Sequence, residues 1–164
     1  MRFFLDTEFS ESGPHKPIEL ISIGIVGEHG RSLYAVSSEF NPDECNDWVK
    51  ANVLPNLGNG PRLTLNEIAG DIKAMIDDEH PIFYGYFADY DWVVFCQIFG
   101  KMIDLPNGWP MLCYDLKQIA MSLGNPKLPE QKSTEHNALN DARWNKEVYD
   151  FLIDCSKDVV PRIP

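Results

Sequence analysis

The chain opens with an apolar run that two acids interrupt, Phe3-Phe4-Leu5-Asp6-Thr7-Glu8-Phe9. An apolar run this short reads as a strand of a buried sheet, here Arg2 to Asp6. Residues i and i+2 of a strand share a face, so Asp6 and Glu8 point the same way. Neighbouring carboxylates repel, and acids closing a central strand are costly unless a cation lies between them. Oxygen donors of this kind suit Mg²⁺ or Mn²⁺. The D-x-E pattern is common on solvated surfaces; its place at the end of an apolar strand is what singles it out.

Further strands and helices follow from periodicity and punctuation. Pro17 to Val26 is rich in Ile and Val, and Arg31 to Ser38 follows the turn at Glu28-His29-Gly30, so the two form a hairpin. Phe40 to Leu63 carries Pro42, Pro55 and Pro61 and reads as loop-rich, with one short helix over Asp43 to Asn52. Thr64 and Glu67 have capping-box spacing, and Leu65, Ile68, Ala69, Ile72, Met75 and Ile76 then recur at helical intervals. Pro81 to Tyr86 is a buried strand. Asp89 to Phe99 is a helix ended by Gly100, with Asp89 as its N-cap. Asp115 to Leu123 is a helix stopped by Gly124-Asn125-Pro126, and a polar stretch from Lys127 to Glu135 leads to a last helix over Asn137 to Asp154. Strands first, then strands alternating with helices, predict one mixed sheet flanked by helices.

Composition excludes several classes. With 164 residues and 44% hydrophobic content, including four Trp, six Tyr and nine Phe, the chain is a folded domain rather than a disordered one. No apolar run reaches the roughly 18 residues of a membrane helix, and the acids at Asp6 and Glu8 end the N-terminal run too early for a signal peptide. Cys45, Cys96, Cys113 and Cys155 show no metal or redox spacing, so a reducing, cytoplasmic setting is expected. The net charge of −11 disfavours long-range capture of a polyanion.

Two more segments hold candidate chemistry. Asp91 follows an apolar strand at the start of a helix, in Tyr90-Asp91-Trp92-Val93. An acid there also suits the helix dipole. His136 and Asp141 lie five positions apart, about 140° around an ideal helix. They can share a site only if His136 sits on the polar loop before the helix or on the helix's frayed first turn, where it would be mobile enough to serve as a base.

Taken together, Asp6 and Glu8, then Asp91, then His136 and Asp141 resemble the DEDDh exonuclease family. Within it the chain is most similar to RNase AS, the polyadenylate-specific 3′–5′ exoribonucleases, through F-F-L-D-T-E-F, E-L-I-S-I-G-I-V, L-Y-A-V-S, Y-D-L-K-Q-I-A and S-L-G-N-P-K-L-P. It departs from many DEDDh enzymes at Tyr86 and Phe87, where those carry His-Asn. The resemblance implies an α/β, RNase H-like fold over residues 1–164 as a single domain. Its central β-sheet would be mixed, with the first three strands antiparallel and the later strands parallel, flanked by α-helices.

The resemblance also implies a metal-dependent 3′–5′ exoribonuclease. Asp6, Glu8, Asp91 and Asp141 would hold two divalent ions, Mg²⁺ or Mn²⁺, and His136 would be the general base. The partner would be the 3′ end of a single-stranded RNA, the product a nucleoside 5′-monophosphate, and the assembly a homodimer. An adenylate preference rests on the same likeness. Phe9 beside the acids is a candidate base-stacking residue and could equally be core; Trp109, in a Gly/Pro loop, is a candidate substrate wall or an interface residue. Arg143 and Lys146 read as a solvated helical face. Rival readings are a single-stranded DNA or short-oligonucleotide exonuclease with the same site, and an inactive domain that binds nucleic acid or protein. The charge balance predicts that only a few nucleotides bind, through metals and stacking rather than backbone contacts.

Overall fold

The computed structural model describes residues 1–11 and 13–158. Its centre is a six-stranded sheet in the order β4-β3-β2-β1-β5-β6. The strands are β1 (Arg2–Ser10), β2 (Glu19–Gly27), β3 (Ser32–Ser37), β4 (Arg62–Leu63), β5 (Ile82–Gly85) and β6 (Tyr114–Asp115). β1, β2 and β3 pair antiparallel, whereas β4 pairs parallel to β3, β5 to β1 and β6 to β5. The helices are α1 (Asp47–Asn52), α2 (Leu65–Met75), α3 (Asp89–Ile98), α4 (Leu116–Ser122) and α5 (Ala138–Asp158). Together these make an α/β, RNase H-like fold with the strand directions expected. Among the described residues no helix is long and apolar enough to cross a membrane.

The alternation of β1 distributes its side chains between two layers. Phe3 and Leu5 join Ile23, Ile25, Ile72, Phe83 and Phe95 in a core beneath α2 and α3. Phe4 faces the other way, into a cluster with Leu116, Ala120, Val148, Tyr149 and Leu152 from α4 and α5. Asp6 and Glu8 continue the Phe4 side of the strand, toward α5. A third cluster, Ile21, Val36, Phe40, Val49 and Val53, seats α1. The register between β1 and β2 slips between Glu8 and Phe9, the mark of a bulge, so Glu8 opposes Ser22 while Phe9 opposes Leu20. Bulges re-aim side chains beside functional sites.

Several local expectations are corrected. The single helix expected over Asp43 to Asn52 is a 3₁₀ turn at Pro42–Glu44 followed by α1. Asn46 divides them: it is extended, and its side chain accepts the Val49 N–H, starting a new helix. Asp89 is not the N-cap of α3. The cap is Ala88, which provides no side-chain bond, and its own N–H is held by Asp115 Oδ2 at 3.0 Å. The neighbouring strand thus supplies the acceptor that fixes this turn. β4 falls within the stretch expected to be loop, because two residues carry no periodicity. The capping box at Thr64 and Glu67 is present in both directions.

Candidate active site

Three elements bring four acids together at the C-terminal end of β1. Asp6 and Glu8 come from the strand, Asp141 from the first turn of α5 and Asp91 from the first turn of α3. Oxygens of Asp6, Glu8 and Asp141 lie within 4.8 Å of one another. Asp91 is buried, and its Oδ1 accepts the Thr7 N–H at 2.9 Å and the Thr7 hydroxyl at 2.6 Å. Thr7 therefore clamps Asp91 to the strand from the opposite side of the pleat. The mid-chain acid is drawn to the pair by a residue the D-x-E pattern treats as a spacer.

Close approach of α5 depends on Gly24, which opposes Asp6 across the ladder. A Cβ there would sit 2.2 Å from the Ala138 carbonyl oxygen, so only glycine lets the helix start against the sheet. Asn145, one turn after Asp141, is buried and donates to the Leu5 carbonyl at 2.9 Å. These contacts fix the position of Asp141 relative to Asp6.

The electrostatics are those of a crowded, desolvated carboxylate cluster. Burial raises Asp6 well above the usual carboxylate range, reinforced by Asp91, Glu8 and Asp141. Glu8 is pushed up to about 8, by burial first and then by Asp141 and Asp91. Asp91 is raised to about 6 by burial, against the two Thr7 hydrogen bonds that favour its charge. Burial also raises Asp141, opposed by a hydrogen bond from Gln131, by charge attraction to His136 and by the backbone N–H groups of His136 and Asn137. None of the salt bridges among the described residues involves these four acids. An all-carboxylate set outside any such ion pair fits a hard divalent ion.

His136 lies just ahead of α5, on the loop, in a left-handed conformation (φ 59°). That placement answers the angular objection to its sharing a site with Asp141. Its ring meets the Trp48 ring edge-on at 5.0 Å. The loop itself is tied down rather than free. Pro129 O accepts from Trp144 Nε1, Thr134 O from Asn140 Nδ2, and Glu135 O from Asn56 Nδ2, at 3.0, 3.2 and 3.2 Å. Asn137 Nδ2 donates back to the Asn56 carbonyl at 2.8 Å. The Pro-rich segment read as loop thus positions the histidine. Trp48 and Gln131 were not foreseen, since neither belongs to an interrupted apolar segment.

The two aromatic candidates separate. Phe9 lies beside Glu8, half-buried, with the exposed Tyr90 stacked on it at 5.7 Å and 10°. Tyr90, adjacent to Asp91, is the more accessible ring. Trp109 is not brought to the acids. It packs against Phe83, Phe95 and Phe99. Phe83 is level with Phe3 in the ladder, three residues before Asp6, or roughly 10 Å along the strand. The half-buried loop indole finds its partners in the core rather than at the acids, which counts against a substrate wall at Trp109.

A six-stranded mixed sheet with acids gathered from its central strand and two flanking helices defines an RNase H-like exonuclease domain. Solved structures agree on the fold. Exonuclease I superposes with a TM-score of 0.64 at 14% identity, over 93% of this chain and 42% of that one. Schizosaccharomyces pombe Pop2p, described in its Mg²⁺- and Mn²⁺-bound form, superposes with a TM-score of 0.54 at 12% identity, over 90% and 81%. Residues 1–153 match the 3′–5′ exoribonuclease Rv2179c-like domain, and the chain belongs to that family. The 3′–5′ exoribonuclease Rv2179c of Mycobacterium tuberculosis H37Rv is 41% identical over 150 residues, covering 87% of this chain and 88% of the relative. Its counterpart in strain CDC 1551 matches equally.

Proposed function

We propose that this chain hydrolyses single-stranded RNA from its 3′ end, releasing nucleoside 5′-monophosphates, with two divalent ions held by Asp6, Glu8, Asp91 and Asp141. The carrying observation is the cluster itself: oxygens of Asp6, Glu8 and Asp141 within 4.8 Å, in surroundings that raise all three carboxyls. Mg²⁺ or Mn²⁺, when bound, supplies activation of the attacking water and charge stabilisation at the phosphate. Asp6, shared between its neighbours, would serve both ions; Asp91, held by Thr7, would lean on one. His136 would accept the proton of the attacking water at an imidazole nitrogen, its ring braced by Trp48. Phe9, with Tyr90 over it, would face the terminal base.

The finer points rest on the likeness to RNase AS. They are an adenylate preference and a homodimer; a cytoplasmic setting follows from the cysteine usage, and one domain over residues 1–164 from the chain length. The deciding experiment is digestion of matched oligo-A, oligo-U and oligo-dA with Mg²⁺ or Mn²⁺ against an EDTA control. Shortening of oligo-A from the 3′ end, faster than oligo-U and oligo-dA and abolished by EDTA, is the expected result. Equal or faster digestion of oligo-dA would move the substrate class to DNA, and no metal-dependent digestion of any would favour a binding domain.

A further inference from the structure

Phe87 sits where fold stability alone would not put it. It is a bulky residue with φ 56°, in the left-handed region, and it is 65% exposed. Glycine or asparagine would hold that backbone at lower cost. The conformation is imposed from both sides: Gly85 pairs with Asp115 across the ladder, and Ala88 N–H is bound by Asp115 Oδ2. A strained residue that the surroundings hold in place points to a use.

Its position says which. The Tyr86 ring meets Phe87 edge-on at 4.9 Å and Trp144 edge-on at 5.0 Å. Trp144 lies three residues after Asp141 on α5, hence on the same face of the helix. Tyr86 and Trp144 pack with Phe4, on the side of the sheet that bears Asp6 and Glu8. A line of rings, Trp144, Tyr86 and Phe87, therefore runs along the acid-bearing side of the sheet out to the end of β5. Phe9 and Tyr90 stand on the other side of the cluster, packed toward the α2/α3 core. A terminal base can occupy only one of these surfaces.

We infer that Phe87 is a stacking platform for a nucleobase upstream of the 3′-terminal nucleotide, so that the strand leaves the acids over the Tyr86–Phe87 edge. The inference rests on the exoribonuclease reading above. With a net charge of −11 the chain has little means of gripping phosphates at long range, and stacking on an exposed ring needs none.

The test uses Phe87→Asn, which removes the ring but suits the left-handed backbone, with Phe87→Gly as second variant and Phe87→Tyr as rescue. Steady-state kinetics on a hexa-adenylate with Mn²⁺ are compared with thermal unfolding and sedimentation. In parallel, binding with Ca²⁺ is followed by 2-aminopurine fluorescence, the probe placed at the 3′-terminal or a more upstream position. For Asn and Gly the KM rises by about five- to a hundredfold with kcat changed much less, and Tm holds or rises. Quenching of the upstream probe is lost and that of the terminal probe kept; Tyr restores both KM and quenching. An unchanged KM, loss of quenching only at the terminal probe, or a change confined to self-association would overturn the inference. Absence of metal-dependent RNA hydrolysis by the unsubstituted protein would instead overturn the exoribonuclease reading itself.

Discussion

The two sides of β1 share one backbone and differ in every other respect. Toward α2 and α3 the strand sends Phe3 and Leu5 into a closed apolar layer in which Phe83 contacts Phe3, Trp92, Phe95 and Trp109. Toward α5 it sends Phe4, then Asp6 and Glu8, and the helix adds Asp141. The first side gains free energy from removing apolar surface from water. The second holds like charges where water is scarce, and the raised carboxyls record the strain. One face of the strand offsets what the other costs. Substitutions on the two sides should therefore separate activity from stability in opposite directions.

The largest separation is expected at the acids. Asp6→Asn or Asp141→Asn removes a ligand and a repulsive charge together. Turnover with Mn²⁺ should fall by more than about a hundredfold, beyond what loss of a mere outer-sphere partner costs a metal site. The Tm measured in EDTA should hold or rise. A variant that loses stability in EDTA, or that keeps turnover, would erase the proposed contrast. On the other side, Phe83→Ala should cost about 3–5 kcal/mol, the usual loss for a buried phenylalanine. Urea unfolding reads that loss, and activity per folded molecule measured at low temperature should survive it.

The same contrast explains what was legible in the sequence. Asp6 and Glu8 stood out because they break an apolar period, and the order of Asp91, His136 and Asp141 carried the family likeness. The central strands and α2 followed from Ile/Val runs and from the Thr64 cap, since local chemistry fixes them. What stayed hidden depends on contacts distant in sequence. Thr7 holds Asp91 84 positions away, and Asn145 reaches Leu5 across 140. The need for glycine at position 24 appears only once α5 is laid against β2. Trp109 misled because an aromatic in a Gly/Pro loop gives no sign of which partners the fold will bring to it.

A smaller effect distinguishes the faces by pH. Glu8 and Asp91 have folded-state values of about 8 and about 6, above ordinary carboxylates. The folded chain therefore binds more protons than the unfolded chain between those limits, and stability falls as pH rises. In EDTA, calorimetry from about pH 5 to about pH 8 should show a progressive loss of stability, less steep in Glu8→Gln. Saturating Mn²⁺ should stabilise most at the alkaline end, where the carboxylates are free to bind it. A flat profile in EDTA would mean that the acid-bearing face is not desolvated.

The smallest effect tests whether the apolar face is independent of the site. Thr64 Oγ1 accepts the Glu67 N–H at 3.3 Å, and Glu67 Oε2 accepts the Thr64 N–H at 2.8 Å. Thr64→Ala removes the first bond and the one the hydroxyl donates to Glu67 Oε2 at 2.8 Å, and leaves the second, because the backbone N–H at position 64 remains. The loss should thus fall at or below about 1 kcal/mol. That is roughly 2–4 °C in Tm for a chain of this size. Since α2 itself contributes none of the acids and packs on the face away from Asp6, Glu8 and Asp141, KM, kcat and Mn²⁺ affinity should stay at their unsubstituted values. A change in any of them would show that strain at the start of α2 crosses the sheet, and that the two sides of β1 are coupled through its backbone.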